Sequence, residues 1–308
     1  MRLIAVCDLD EERAERARRV FGAERAYRSL DDLLARSDLD AVLVVGPPSL
    51  HVSAGLAVLA SGRHLFVEKP PGVSLADAIR LQAAGRAASK QVMVGFMKRH
   101  ASAYRQLREL VATPEFGSVT SVNVTYAHWA AGELRDHLLD MSIHALDVPR
   151  WFLGDPIQLA VYRRSLHDSN ALAVLLEHRD GVSQLDLSGF QPGVQERIVV
   201  TGERALVSVE NLTRLTYVRE DSAVPSQEAN RRVANIWTPE FTLPDDENDV
   251  LVLQGYAVEM IEFADAIRVG REVSPSIDDG VAAMRLIESI CDAAEGLSIA
   301  QLHDAMTD

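Results

Sequence analysis

Two charged residues, Glu68 and Lys69, follow a short apolar segment and precede Pro70. The segment 65–67 is rich in β-forming residues, which is typical of a buried strand in a parallel sheet. Pro70 ends the strand because it has no N–H to donate. Ligands of open α/β sheets bind beyond the carboxyl ends of the strands, where a lysine can hydrogen-bond a substrate oxygen and favour loss of its proton. A surface ion pair at a strand end is the alternative interpretation.

A second group of reactive residues contains Asp140 and His144, four positions apart in a segment of helical periodicity that ends at Gly154. Residues at this spacing share one face of a helix. A histidine that a carboxylate orients can accept a hydroxyl proton while hydride leaves an alcohol. Asp147 lies three positions further along. A solvated face of a helix is the alternative interpretation of this pattern.

The same region also resembles a metal site in its residue types. His137, Asp140 and His144 lie at positions i, i+3 and i+7, and His128 lies upstream. Imidazole and carboxylate groups are ligands of Zn²⁺ and Mn²⁺. No cysteine and no second acidic cluster joins these residues, so we predict no metal site. A metal-dependent sugar lyase or isomerase stays an alternative function.

The elements that must position these residues alternate between strands and helices up to residue 98. This alternation predicts right-handed βαβ units and a parallel sheet. The predicted strands are 2–7, 41–45, 64–67 and 91–96, and the predicted helices are 11–21, a short one from about 29, 49–60 and 75–89. In this first part we expect Asp10 to cap the helix 11–21 and Gly22 to end it.

After residue 98 the pattern becomes that of half-buried strands separated by turns, which predicts a largely antiparallel sheet. The predicted strands are 118–128, 157–166, 171–178, 182–190, 195–201 and 205–210. The predicted helices are 102–113, 250–269 and 278–295, and the segment 220–249 is predicted to be a long loop. The sequence therefore predicts two domains, 1–98 and 99–308.

Composition restricts the classes of function. The 308 residues are 47% hydrophobic and carry a formal net charge of −14, which argues against nucleic acid or an anionic membrane as the main partner. The apolar segments are too short to span a bilayer, and the amino end has no signal-peptide pattern. Cys7 and Cys291 lie in apolar sequence surroundings, and we expect reduced core thiols in a cytoplasmic protein.

Several motifs together resemble the Gfo/Idh/MocA family of nicotinamide-dependent sugar and polyol oxidoreductases. The first comprises Pro47-Pro48-Ser49-Leu50-His51, Ala60-Ser61-Gly62-Arg63-His64 and Glu68-Lys69-Pro70. The others are residues 94–99 followed by Tyr104, the series Asp140, Ser142, His144 and Asp147, and residues 259–280. The chain differs from the family at residues 135–139, where many members have a glycine-rich turn, and at Ser142, where glycine is common.

The resemblance implies a Rossmann-like domain, an α+β domain with a large open and mostly antiparallel sheet, and a pocket between the domains. It implies reversible oxidation of a secondary alcohol by NAD or NADP, in which Lys69, Asp140 and His144 are catalytic. The expected cofactor contacts are Asp8, Pro47, Pro48, His51, Glu68, Lys69 and Met97. The expected substrate contacts are Lys98, Arg99, Tyr126, His128, Trp129 and His144. A solvated basic pair is the alternative interpretation of Lys98 and Arg99. A homodimer or homotetramer is expected, because an open sheet face needs covering.

The sequence contains no glycine-rich G-x-G-x-x-G turn, which normally holds the pyrophosphate of a dinucleotide. It begins where the second strand of such a domain would begin, so we expect the first βα unit to be absent and NADH binding to be weak. Asp8 lies where an acidic residue binds the adenosine ribose, which favours NAD; it could instead cap a helix. A non-catalytic binding or assembly subunit is therefore a second alternative function.

Overall fold

The computed structural model describes residues 1–36, 38–220, 232–239 and 246–302, which form two compact units. Unit 1 comprises Met1–Gly95 and Met260–Val281, and unit 2 comprises Phe96–Glu259 and Ala282–Asp308. The predicted second domain ran unbroken from residue 99, whereas the segment 260–281 belongs to unit 1. The difference arises because Phe263, in that segment, packs on the core of unit 1.

Unit 1 consists of short parallel strands connected by helices. Its strands are β1 Ala5–Cys7, β2 Arg25–Tyr27, β3 Ala41–Val44, β4 His64–Val67 and β5 Val92–Val94. Its helices are α1 Glu11–Phe21, α2 Leu30–Leu34, α3 Pro48–Ala60 and α4 Leu75–Ala88. β1 pairs with β2 in one sheet, and β3, β4 and β5 form a second sheet in that order. All three pairs are parallel, which confirms the predicted sheet type, although the three-residue β2 was not predicted.

The helix α1 shows how local sequence fixes an element of unit 1. Asp10 accepts hydrogen bonds from the backbone N–H groups of Glu12 and Arg13 at 2.9 and 3.1 Å, and Gly22 adopts φ +70° at the end of the helix. A capping carboxylate satisfies amides that the first turn leaves free, and glycine reaches positive φ without a Cβ penalty. The predicted bounds, cap and end of this helix are confirmed.

The core of unit 1 lies around β4, whose Leu65, Phe66 and Val67 are buried. The rings of Phe66 and Phe263 meet edge to face with centroids 5.8 Å apart, and Met93 belongs to the same cluster. A strand covered on both faces needs a continuous apolar sequence, which explains why β4 shows no alternation. The burial of this strand fixes where its carboxyl end and Glu68 lie within unit 1.

Unit 2 is built on a nine-stranded sheet with the order β13-β12-β11-β10-β6-β9-β8-β7-β14. Its strands are β6 Val119–Trp129, β7 Gln158–Leu166, β8 Ser169–Glu177, β9 Val182–Asp186, β10 Phe190–Gly202, β11 Ala205–Glu210, β12 Arg214–Glu220, β13 Arg232–Trp237 and β14 Gly296–Gln301. The remaining helices along the chain are α5 Ser102–Val111, α6 Leu134–His137, α7 Ile143–Leu153, α8 Asp246–Leu253, α9 Tyr256–Val269 and α10 Ile277–Cys291. Every neighbouring pair is antiparallel except β6 with β9, so the predicted mostly antiparallel sheet is confirmed.

Three predictions about this second part were wrong or incomplete. The segment predicted as a loop, 220–249, contains β13 and the start of α8, while 221–231 and 240–245 lie outside the described residues. The helix predicted at 250–269 is two helices, because Gly255 between them has φ +98° and interrupts the helical backbone. The strands β12 and β14 were not predicted; β12 forms a hairpin with β11 and also pairs with β13, whereas β14 pairs with the distant strand β7.

The expectation of two core thiols was wrong for Cys7. Cys7 is exposed and Cys291 is partly buried, and both are free thiols. Cys7 is the last residue of β1, which has a paired strand on one edge only within the described residues.

Among the described helices, none has the length and apolar content needed to cross a membrane.

Candidate active site

Lys69 is the second residue beyond the buried strand β4. The backbone N–H of Glu68 still belongs to the sheet and donates to the carbonyl of Val44 at 3.0 Å. The N–H of Lys69 instead donates to the carboxylate Oε2 of Glu68 at 3.1 Å. Lys69 therefore starts the irregular segment at the carboxyl end of the sheet, as the sequence predicted, and both side chains are partly buried.

Glu68 occupies space that a glycine leaves open. A Cβ at Gly95, directly after β5, would lie 2.9–3.1 Å from the carboxylate atoms of Glu68. Burial raises the pKa of the Glu68 carboxyl, and its hydrogen bond from the Lys69 amide opposes that rise. The nearby Glu68 carboxylate therefore accounts for the presence of glycine at position 95, within the family-like segment 94–99.

Asp8 lies at the carboxyl end of β1, where hydrogen bonds fix the position of its carboxylate. Its Oδ1 accepts from the N–H of Asp10 at 2.8 Å and from Arg13 Nη2 at 3.0 Å. These two contacts, the Asp10 amide first, lower the pKa of Asp8. Because Asp10 caps α1, the capping alternative for Asp8 falls away, and its carboxylate fits the hydroxyls of a cofactor ribose.

The amino end of α3 provides a further feature that fits a dinucleotide. The helix begins after Pro47 with Pro48 as its first residue, and no side chain caps it. Uncapped amides at a helix N-terminus favour anionic groups such as phosphate. Asp8 and this helix end would thus hold parts of a nicotinamide dinucleotide in unit 1. His51, in the first turn of α3, is fully buried and donates from Nδ1 to the carbonyl of Pro70 at 2.7 Å.

In unit 2 the predicted helix around Asp140 exists but contains an irregular turn. A π-helical segment, Leu138–Ser142, separates α6 from α7, and the helix ends at Gly154 with φ +74° as expected. Single π-turns occur frequently at functional sites. Asp140 lies in this turn and is exposed, whereas His144 is only 4% exposed and meets the ring of Phe96 edge to face at 6.1 Å.

Lys98 belongs to a buried polar cluster on the inner face of the sheet. Its ammonium group forms an ion pair with Glu196 and lies 5.4 Å from the ring centroid of Tyr126. The hydroxyl of Tyr104 donates to Glu196 Oε1 at 2.6 Å, and Tyr126 is the direct cross-strand neighbour of Glu196. The alternative of a solvated basic pair at Lys98 and Arg99 was therefore wrong.

Sequence reasoning missed Glu196, although a signal was present. Glu196 is in phase with Ile198 and Val200, which are the buried positions of β10. A charged residue on the apolar face of a strand needs a buried partner, because an unpaired buried charge is costly. Burial and the neighbouring Glu196 carboxylate raise the pKa of Tyr126.

Arg99 and Asp147 form a second buried ion pair. Arg99 donates through Nε and Nη2 to the two carboxylate oxygens of Asp147 at 2.7 and 2.6 Å. The pair connects the 3₁₀ turn Met97–His100 to α7, and Met97 itself is buried. Asp147 thus orients Arg99, a role that the spacing of the sequence motif did not reveal.

The remaining expected substrate residues lie at the end of β6. The rings of His128 and His137 stack with centroids 4.8 Å apart, whereas Trp129 is 60% exposed. Burial, followed by the neighbouring His128, lowers the pKa of His137 to about 4. Within the described ranges, no group of three or more His, Cys, Asp or Glu side chains is arranged to hold a metal ion.

Known protein families and individual proteins match this chain in both units. The family model described as "Oxidoreductase family, NAD-binding Rossmann fold" matches residues 1–96, and the "GFO/IDH/MocA C-terminal domain" model matches residues 104–208. An inositol 2-dehydrogenase of Ralstonia nicotianae is 30% identical in an alignment of 299 positions that covers 92% of this chain and 83% of that protein.

Solved structures show the same architecture. A dehydrogenase from Chromobacterium violaceum superposes with a TM-score of 0.85 at 26% identity, covering 94% of this chain and 86% of the other. Levoglucosan dehydrogenase in complex with NADH and L-sorbose superposes with a TM-score of 0.80 over 97% of this chain and 90% of the other. At 17% identity the second similarity shows the fold alone.

Proposed function

Because the chain belongs to the Gfo/Idh/MocA family of oxidoreductases with an NAD-binding Rossmann fold, we propose that it reversibly oxidises a secondary alcohol of a sugar, inositol or related polyol. The observation that carries this proposal is the position of Lys69, the second residue beyond the buried strand β4, whose amide donates to the Glu68 carboxylate. Ligands of open α/β sheets bind at this edge. Among polyols, inositol is the first candidate, because the Ralstonia relative is named an inositol 2-dehydrogenase.

The reaction divides between the cofactor and three side chains. When bound, NAD(P)⁺ supplies the hydride acceptor. Lys69 hydrogen-bonds the reacting hydroxyl, His144 accepts its proton, and Asp140 orients His144. The carbon loses hydride while the oxygen loses its proton, and the product is a ketone. Glu68 supports the strand end at which Lys69 begins.

The proposed cofactor is NAD rather than NADP. Asp8 is held as a carboxylate at the end of β1 by Asp10 and Arg13. A carboxylate there accepts hydrogen bonds from the two ribose hydroxyls and repels a 2′-phosphate. The proposed set of cofactor contacts also includes Pro47, Pro48 and Met97. The proposed substrate contacts are Lys98, Arg99, Tyr126, His128 and Trp129.

The proposed assembly is a homodimer or homotetramer formed through the outer face of the large sheet. Leu175 and Tyr162 on this face are 52% and 47% exposed, and Leu297 and Ile299 on the neighbouring β14 are exposed as well. The four residues lie close together because Leu297 pairs with Tyr162, and Ile299 pairs with Ala160 beside Leu175. An exposed apolar patch of this kind is typical of an interface.

The proposal is tested by following NADH and NADPH formation at 340 nm with myo-inositol and a panel of sugars and polyols. We expect turnover with saturating NAD⁺ and at least one polyol, and loss of turnover in Lys69→Ala. NADH binding by Lys69→Ala, measured by fluorescence titration, should stay within a few-fold of the parent. Turnover by Lys69→Ala close to that of the parent contradicts the role of Lys69. Absence of turnover with every polyol contradicts the function.

A further inference from the structure

The segment 68–73, which carries Lys69, lies beyond the sheet and is held by side chains. The Lys69 amide donates to Glu68 at 3.1 Å, and the Val73 amide donates to Asp77 Oδ2 at 3.2 Å. Between them, the carbonyl of Pro70 accepts from His51 Nδ1 at 2.7 Å. The His51 contact is the shortest of the three and acts on the residue directly after Lys69.

His51 is suited to hold this segment rather than to bind a ligand. Its ring is fully buried in the first turn of α3, and its Nδ1 already donates to the Pro70 carbonyl. The Pro70 carbonyl can only accept, so His51 carries its proton on Nδ1. Burial lowers the pKa of His51, the carbonyls of Pro70 and Gly46 oppose this, and the positive charge of Lys69 lowers it further.

We propose that His51 is a positioning residue for Lys69, acting through the Pro70 carbonyl, and not a cofactor contact. The inference rests on the proposed catalytic role of Lys69. The ammonium group must reach the substrate hydroxyl, and the place of the Lys69 backbone limits the positions that a side chain of fixed length can reach. A displacement of about 1 Å at a reacting group can lower a rate on the order of 100-fold. Because α3 and β4 are both packed in unit 1, the His51 bond transmits their fixed positions to Lys69.

The test uses two amides that differ by one methylene. The amide nitrogen of asparagine lies near the position of histidine Nδ1, whereas that of glutamine lies near Nε2. His51→Asn should therefore keep the bond to Pro70, and His51→Gln should lose it. We expect kcat to fall on the order of 10- to 100-fold in His51→Gln and to be restored in His51→Asn. The NADH dissociation constant should be unchanged in both variants.

A matched control is available in unit 2. His178 is also buried and also donates from Nδ1 to a backbone carbonyl, that of Gly154, at 2.8 Å. His178→Gln removes the same kind of bond at a site with no proposed role in catalysis. Its kcat should equal that of the parent. An equal loss of kcat in His178→Gln and His51→Gln would show general destabilisation and overturn the proposal.

Hydrogen–deuterium exchange separates this inference from the proposed function. In the peptide that covers residues 64–75, the amides should exchange faster in His51→Gln and at the parental rate in His51→Asn and His178→Gln. Parental exchange and kcat in His51→Gln overturn the positioning role, as does weaker NADH binding with unchanged kcat. If the parent oxidises no polyol, the proposed function fails. The exchange rates then decide by themselves whether His51 fixes the segment.

Discussion

At the scale of single residues, His144 is the proposed base and gives a prediction in pH. We expect His144→Ala to lower kcat about 10²- to 10⁴-fold and to remove the limb of the kcat/KM profile near neutral pH, where a histidine ordinarily titrates. The measurement is kcat/KM between pH 5 and 9. Asp140→Asn is the matched variant, because it removes the orienting charge and leaves the base in place. A profile that His144→Ala leaves unchanged points to another base, with Lys69 the first candidate.

His137 gives a second prediction at this scale, in stability. Its pKa in the folded state is about 4, below the ordinary 6.5, because the ring is buried beside His128, against the opposing charge of Asp140 and a hydrogen bond to the Leu187 backbone. The unfolded chain therefore binds more protons between these values, and stability present above pH 6.5 is lost as the pH falls toward 4.

Replacing His137 by Phe keeps an aromatic ring against His128 and removes the titrating group. The unfolding free energy, measured in urea between pH 7 and pH 4.5, should change less with pH in His137→Phe than in the parent. The difference between the two slopes should correspond to the binding of up to about one proton per molecule. His51 and His178 also have lowered pKa values and maintain part of the slope in both proteins. Equal slopes in the parent and the variant would contradict the lowered pKa of His137.

At the scale of elements, the junction between α8 and α9 depends on one glycine. Gly255 has φ +98°, and a Cβ there would meet the Met97 carbonyl and lie 2.6 Å from the Ala101 nitrogen. These are backbone atoms, so no side chain can move to make room. The junction of the helices therefore fixes the turn Met97–His100, which carries Lys98 and Arg99.

We predict that Gly255→Ala lowers the unfolding free energy by about 3 kcal/mol or more, because backbone strain and a steric clash add. Gly270 is the matched control, since it also has positive φ (+72°) but a Cβ there would meet nothing within 4 Å. Gly270→Ala should cost only about 1–2 kcal/mol, the penalty of left-handed backbone. Urea unfolding followed by circular dichroism compares the two. Equal losses would mean that the close approach at Gly255 is relieved elsewhere.

At the scale of the whole molecule, the exposed outer face of the large sheet gives a prediction about assembly. Leu175 lies in the middle of this face, beside Ala160 and Gln184. We expect the parent to be a dimer or tetramer in light scattering after size exclusion, and Leu175→Glu to be a monomer, because a buried unpaired charge is strongly unfavourable. Val20→Glu, on an exposed position of α1, should keep the parental mass. A monomeric parent contradicts the interface.

The sequence by itself determined those features that depend on neighbouring residues. The cap at Asp10, the end at Gly22, the buried run of β4 and the helix around His144 follow from local hydrogen bonding and apolar periodicity. The same local patterns placed Lys69 beyond a strand end and Asp140 and His144 in one helical segment. The family was therefore accessible from short motifs, each of which lies within a few residues.

Only the tertiary structure decided which distant residues meet. Lys98 and Glu196 are 98 positions apart, Arg99 and Asp147 are 48 apart, and His51 and Pro70 are 19 apart. No local pattern encodes these pairs, because a buried charge or ring nitrogen finds its partner only when separate elements pack. For the same reason the sequence left open whether Lys98 and Arg99 are solvated, and it did not show which group the His51 ring bonds. Packing buries all three, and burial requires each polar group to bind another part of the chain.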